Sequence, residues 1–171
     1  MLAASPRLNM DERRELLDLL LENARTSTAD LARQTGLSES AVEELISSLE
    51  DDGIIRGYQT IVDWDRTERE RARAAVELNV TLDRETGYDD ISGRLARFPE
   101  VSSLQLVSGD FDFLLIVEAD SMRDISRFVS EQIAPVPEIT QTVTHFVMDT
   151  YKERGIEMDD GHDDDRLSVS P

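Results

Sequence analysis

Apolar positions change period along this chain, recurring at helical spacing in the first third and alternating in twos through much of the rest. Leu16, Leu17, Leu20 and Leu21 form a stripe at helical spacing. Asn9, with Glu12 three residues on, marks a capping-box-like start to that helix. A second short helix is expected from Thr28 to Thr35, anchored by Leu31 and capped by Thr28. Gly36-Leu37-Ser38 makes a tight turn. Ser38 then caps a third helix, in which Val42, Leu45, Ile46 and Leu49 recur at i, i+3, i+4 and i+7, and Gly53 ends it. Beyond it, Ile54-Ile55 and Tyr58 to Val62 are β-prone and flank Arg56-Gly57, the pattern of a wing. From Asp63 to Ala72 the chain is charged and lacks an apolar face. Residues 64–72 are therefore read as a connector, with Trp64 as its ordering element.

The second half alternates element types. Val76, Leu78, Val80 and Leu82 alternate with polar residues as a half-buried strand. Tyr88, Ile91, Leu95 and Phe98 give a helix closed by Pro99. Strands are expected over Val101 to Val107 and Phe111 to Ala119. Met122, Ile125, Phe128 and Val129 give a second helix ended by Pro135 and Pro137, and Ile139 to Tyr151 forms a long last strand. The order βαββαβ predicts a ferredoxin-like domain with both helices on one face of the sheet. The fold class is thus α+β: a head at 1–63, the connector, a ferredoxin-like domain at 73–152, and an acidic, disordered tail at 153–171. In the strand 111–119, Phe113, Leu115 and Val117 point one way while Leu114 and Ile116 point the other. A strand apolar on both faces needs cover on both, so a homodimer assembling to higher oligomers is expected.

Composition narrows the chemistry. Among 171 residues there is no cysteine, which excludes disulfides, thiolate metal sites and cysteine nucleophiles. No apolar run approaches a membrane span, and Met1 to Pro6 lacks the charged and apolar regions of a signal peptide. A cytoplasmic protein without a membrane partner is expected. Net charge is -19, from 37 acidic and 18 basic residues, and Lys152 is the one lysine. An acid-rich, lysine-poor composition resembles cytoplasmic proteins of salt-accumulating halophiles, in which charged surface stays hydrated and self-repulsion is screened. No region is a basic patch.

Residues 28–49 have the short helix, glycine turn and second helix of a helix-turn-helix. Ser108-Gly109-Asp110-Phe111-Asp112 occupies the central hairpin of the second domain. There Gly109 frees backbone N–H groups for an anion, and Asp110 or Asp112 can pair with an ammonium. Thr142 and Thr144 offer hydroxyls on the last strand. Such a set suits an amino acid, although Gly-Asp is also ordinary turn chemistry.

Several segments together carry a family resemblance. They are Thr28-Ala29-Asp30-Leu31-Ala32, Thr35-Gly36-Leu37-Ser38, Leu49 through Tyr58, Ser108 through Asp112, and Pro137 through Thr142. The chain resembles the Lrp/AsnC, or feast/famine, transcription regulators over roughly residues 9–152. The resemblance implies a winged helix-turn-helix head on promoter DNA, an effector domain that binds an amino acid or related metabolite near this hairpin at a subunit contact, and assembly beyond the dimer. Within it, Asp112 matches the family's aspartate best.

One departure concerns the third helix, whose exposed face reads Glu39, Ser40, Glu43, Glu44 and Ser47. Carboxylates accept from cytosine N4 but repel phosphates. The candidate DNA contacts are Arg25, Arg33, Ser38, Glu39, Ser40, Glu43 and Arg56, with Arg13 and Arg14 as further cations. An effector-binding partner whose head no longer contacts DNA is the alternative. Sirohaem decarboxylases share the overall architecture, but a carboxylate-rich porphyrin calls for basic groups and histidine. Here His162 lies in the acidic tail and His145 is read as a packed or interface residue. No catalytic set, metal spacing or phosphate loop appears, so neither an enzyme nor a cofactor is expected.

Overall fold

The computed structural model describes residues 10–82 and 86–158, which form two compact units divided between Thr60 and Ile61.

The first unit contains α1 (Met10–Glu22), α2 (Thr28–Thr35) and α3 (Glu39–Asp51). Its core is Leu16, Leu31, Val42, Leu45 and Leu49, with Leu17, Leu19, Leu20, Leu37, Ile46 and Ile55 packed on it. Burying each such side chain stabilises by about 1.5–3 kcal/mol. Three consecutive leucines, 19 to 21, sweep about 200° around a helix, so they cannot all face inward. Leu21 is the one left out, at 84% exposed, contrary to its expected place in the stripe. The expected cap Asn9 lies outside the described residues. Ser27, not Thr28, caps α2: its extended backbone precedes the helix, and its hydroxyl accepts from Asp30 N–H at 3.1 Å and donates to Asp30 Oδ2 at 2.7 Å. Gly36, at φ 72°, ends α2 in the left-handed conformation. Ser38 caps α3 as expected, accepting from Ala41 N–H at 3.2 Å. Gly53 follows at φ 67°, and the Ile54 and Ile55 amides both donate to the Leu49 carbonyl. The expected wing is not built of strands: residues 55–63 belong to no helix or strand. Two residues are too few for a ladder, and Ile55 turns into the helical core.

The second unit opens with a 3₁₀ turn (Trp64–Arg66). Then follow β1 (Ala72–Val80), α4 (Tyr88–Leu95), β2 (Val101–Leu106), β3 (Phe113–Ala119), α5 (Met122–Phe128) with a closing π turn to Ile133, and β4 (Ile139–Phe146). The sheet order β2-β3-β1-β4, antiparallel throughout, is the expected ferredoxin-like topology. Ala74, Val76 and Leu78 of β1 and Phe113, Leu115 and Val117 of β3 face Ile91 and Leu95 of α4 and Ile125, Phe128 and Ile133 of α5. Tyr88 of α4 meets Phe113 of β3 edge to face, and Phe98, just past α4, meets Phe128 of α5 in the same way, with centroids 5.7 and 5.3 Å apart. On the other face Leu114 and Ile116 remain half-buried, as the two-sided pattern predicts.

Three boundaries differ from expectation. β1 begins at Ala72, four residues before the expected apolar alternation, because Ala72, Ala74 and Ala75 pair with Ala119, Val117 and Ile116 of β3 and Arg73 pairs with Glu118. β4 ends at Phe146 rather than Tyr151. The tail does not start at 153: Lys152–Glu153 and Ile156–Glu157 form a small hairpin, β5–β6. Arg154 and Gly155 turn it at φ 47° and 88°, and Arg73 Nη1 donates to Glu153 Oε2 at 2.6 Å. Composition does not register a contact 80 residues away in sequence. His162 and the rest of the expected tail lie outside the described residues.

Candidate DNA interface and effector hairpin

On α3, the apolar positions face the core and leave Glu39, Ser40, Glu43, Glu44, Ser47, Glu50 and Asp51 exposed. At 100° per residue these seven fill one stripe about 140° wide. The stripe holds five carboxylates, two hydroxyls and no cation. Ser38 stands at its N-terminal end, already spent on capping and 3.1 Å from the Ser40 hydroxyl. Glu50 is taken by the Tyr58 hydroxyl at 2.9 Å, and this bond, after partial burial, pushes the Tyr58 phenol up from its usual pKa.

The cations divide into two groups. Arg33 is ion-paired to Asp30, whose carboxyl is held below its usual range by the Ser27 hydroxyl and then by Arg33. Arg13 is paired to Asp52 at 2.5 Å, tying α1 to the end of α3. Its guanidinium is thus engaged in the fold of the head, as Arg33 is in its pair with Asp30. Arg14, Arg25 and Arg56 are exposed and have no ion pair among the described residues. The cations of the head left without an ion pair are therefore Arg25 and Arg56, with Arg14 on the first helix.

The hairpin between β2 and β3 is closed by Val107 N–H donating to the Asp112 carbonyl at 2.9 Å. Gly109 sits at φ 145°, a conformation that a β-carbon would strain. The loop is moored to the end of β1. The Asn79 side-chain amide donates to the Asp110 carbonyl at 2.9 Å, and Asp112 N–H donates to Leu78 C=O at 2.9 Å. The β1–β4 register shifts between Asn79 and Val80, and the Val80 amide donates to Asp112 Oδ2 at 2.8 Å. The other oxygen, Oδ1, accepts from the Tyr88 hydroxyl at 3.1 Å. That hydrogen bond, more than desolvation, raises the Tyr88 pKa above its usual value. One carboxylate thus joins the hairpin, the end of β1 and the first residue of α4. Asp110 is exposed with its carboxylate free of contacts among the described residues. The N–H groups of Ser108, Gly109 and Asp110 likewise have no partner among the described residues.

Thr142 and Thr144 oppose Leu78 and Val76, so they point to the helix-covered face. They lie two strands from the hairpin, about 10 Å at the usual spacing, so a single chain does not gather them with Ser108–Asp112. His145 is not packed: it faces the open side of the sheet, 56% exposed, with Nε2 3.1 Å from Glu77 Oε1. Sequence reasoning missed a half-open groove of about 390 Å³ beside the hairpin, lined by Tyr88, Asp89, Ser92 and Gly93 of α4, with Leu104 and Leu106 of β2 opposite. The signal was present in Leu104 and Leu106, apolar residues on an edge strand with nothing in sequence to cover them. Among the described residues no three His, Cys, Asp or Glu are placed to hold a metal, and no helix is long and apolar enough to cross a membrane.

Residues 11–56 match a family model described as winged helix-turn-helix DNA-binding, and residues 73–156 match one described as Lrp/AsnC ligand binding domain. The chain is 34% identical over 158 residues to an HTH-type transcriptional regulator of Bacillus subtilis (strain 168), YugG, covering 92% of this chain and 95% of the relative. Of solved structures, the Mycobacterium tuberculosis leucine response regulatory protein superposes with TM-score 0.71 at 25% identity, over 87% of this chain and 99% of that one. A Neisseria meningitidis transcriptional regulator in complex with L-Met shares the fold, with TM-score 0.68 at 23% identity over 85% of this chain and 93% of the other.

Proposed function

This chain belongs to the Lrp/AsnC family of transcription regulators, and from that premise we propose that it holds promoter DNA through residues 25–56 and an amino acid or related metabolite at the Ser108–Asp112 hairpin. The observation that carries the effector site is the moored loop. Three successive backbone N–H groups without partners among the described residues, beside the free Asp110 carboxylate, present donors for a ligand carboxylate and an acceptor for its ammonium. Asp112 shapes this site rather than binding at it, since both its oxygens serve the fold. The groove between α4 and β2 adjoins the loop and offers apolar wall to a side chain. The likeness to a protein solved with L-Met supports an amino-acid ligand. The threonines of β4 join the site only if a second copy brings them there. Half-buried Leu114, Ile116 and Val143 on the open sheet face support such a homodimer.

At the head, α3 reads base edges with acceptors and hydroxyls, which favours cytosine N4 and adenine N6 over guanine. Phosphate attraction rests on few arginines, each adding about -0.9 to the slope of log affinity against log salt. The salt dependence is therefore shallow. The acid-faced α3 also supports a second reading, in which the head binds no DNA and the protein acts as an effector-binding partner. We place both readings ahead of an enzyme.

The test is equilibrium binding to the protein's own promoter fragment from about 0.1 to about 2 M KCl, over which the screening length shrinks from about 10 to 3 Å or less, with and without each common amino acid. Specific binding that one amino acid shifts supports the regulator. A folded oligomer that binds at no salt concentration supports the partner reading. Arg25→Ala with Arg56→Ala separates the two further, weakening DNA binding in the first case and changing nothing in the second.

A further inference from the structure

The connector carries a pattern that neither the head nor the hairpin uses. Arg69, Arg71 and Arg73 stand two residues apart, so in extended backbone they share one side. At the end of antiparallel β3, Glu118 and, one residue past the strand, Asp120 keep the same spacing, with Glu118 directly opposite Arg73. The two rows meet. Arg69 Nη2 lies 3.2 Å from Asp120 Oδ1, and Arg71 Nε and Nη2 lie 2.9 and 2.5 Å from Glu118 Oε2. Arg73 Nε is 3.7 Å from Glu118 Oε1, and its Nη1 reaches Glu153 Oε2 at 2.6 Å. The Arg71 guanidinium also sits over the Trp64 ring, 4.9 Å from its centroid.

Glu118 therefore divides its two oxygens between the arginine stacked on the connector's tryptophan and the arginine holding the β5–β6 hairpin. Its side chain is 21% exposed, against 78% for Asp120, so the Glu118 contacts are the less screened of the two and carry the clasp. Residues 55–63 belong to no helix or strand. The clasp holds the segment by which the chain enters β1. Arg73 and Glu118 alternate with the core residues Ala74 and Val117, which places them on the open face of the sheet. Anything that covers that face meets the clasp.

We propose that Glu118 is a positioning residue that fixes the path by which the chain leaves the effector domain, and that events on the effector sheet reach the DNA-binding head through the Trp64–Arg71–Glu118–Arg73 clasp. This rests on the reading of the chain as a regulator whose effector domain governs DNA occupancy.

Trp64 is the chain's one tryptophan, so intrinsic fluorescence of the full-length protein reports the clasp without a label. Glu118→Ala is expected to raise acrylamide quenching of Trp64 and to change promoter-fragment affinity by about fivefold or more, the lower range of allosteric couplings. Oligomer mass and far-ultraviolet dichroism stay unchanged. Trp64→Phe, which keeps a ring under Arg71, retains wild-type affinity, whereas Trp64→Ala does not. In the wild type, an amino acid that shifts DNA affinity also shifts Trp64 emission. In Glu118→Ala the same amino acid still binds by calorimetry, but DNA affinity no longer responds. Should Glu118→Ala fail to fold, Arg71→Gln opens the clasp from the other side. Wild-type quenching and affinity in a folded variant would overturn the proposal, as would altered quenching with unaltered affinity. If no amino acid shifts wild-type DNA binding, the effector reading fails, and the basal affinity of Glu118→Ala still decides the clasp.

Discussion

Asp112 shows how much one side chain can organise. It accepts from the Val80 amide and the Tyr88 hydroxyl, and its own backbone closes the hairpin. Asp112→Ala leaves two donors without their acceptor, and each such loss costs about 1–3 kcal/mol where water does not replace it. The expected outcome is a lower melting temperature together with loss of amino-acid binding, read by calorimetric unfolding and titration. Asp110→Ala should weaken ligand binding at unchanged melting temperature, because its carboxylate supports no fold contact. At Glu153, the hydrogen bond from Arg73 and then its charge hold the carboxyl below the usual carboxylate range. A lowered folded pKa means that the stabilisation is complete above the unfolded value and is lost as pH falls through the folded one. Amide exchange in β5–β6, relative to its intrinsic rate, should therefore quicken as pH falls below the ordinary carboxylate range, while β1 and β3 remain protected. The Asp112 contacts with Val80 and Tyr88 were not legible in sequence. They depend on a register shift between Asn79 and Val80, and only the assembled sheet displays it.

Helices of the head followed their local signals closely. The Gly36 turn, the Ser38 cap, the Val42–Leu49 stripe and the Gly53 stop are all contacts between near neighbours, so local sequence encodes them. Ser38→Ala should destabilise the head by about 0.5–2 kcal/mol through loss of the α3 cap and leave the melting of the effector domain unchanged. Fluorescence of the lone tryptophan, which belongs to the second unit, lets the two transitions be told apart from dichroism of the helices. Elements whose definition depends on distant partners followed less closely. The β-prone residues after Gly53 made no wing strands because Ile55 found the helical core. β1 gained four residues because Arg73 and its neighbours met β3. The period-two arginines were visible in the chain, but charge without apolar alternation reads as connector until Glu118 and Asp120 are known to lie opposite.

For the whole molecule, if the head binds DNA as proposed, its exposed cations without an ion pair among the described residues, Arg14, Arg25 and Arg56, set a measurable ceiling on electrostatic attraction. Arg25→Ala should weaken promoter binding about equally for all sequences and reduce the salt slope by about one. Glu43→Gln should instead alter base preference at one position, read by selection from a randomised duplex pool. If the open sheet face joins two copies, Leu114→Glu with Ile116→Lys should yield a folded monomer in sedimentation. An unchanged mass would move the interface elsewhere. The order of the three head helices and of the βαββαβ elements, the Ser38 cap and the apolar faces of β1 and β3 were determined by sequence alone, because each follows from spacing within a dozen residues. Tertiary structure decided the rest: that Arg13 serves the fold, that Asp112 is a mooring rather than a free carboxylate, that the β4 threonines stand apart from the hairpin, and that the connector is clasped to β3. Those outcomes rest on pairings between residues 24 to 80 positions apart, and chain spacing does not encode which side chains such a register brings together.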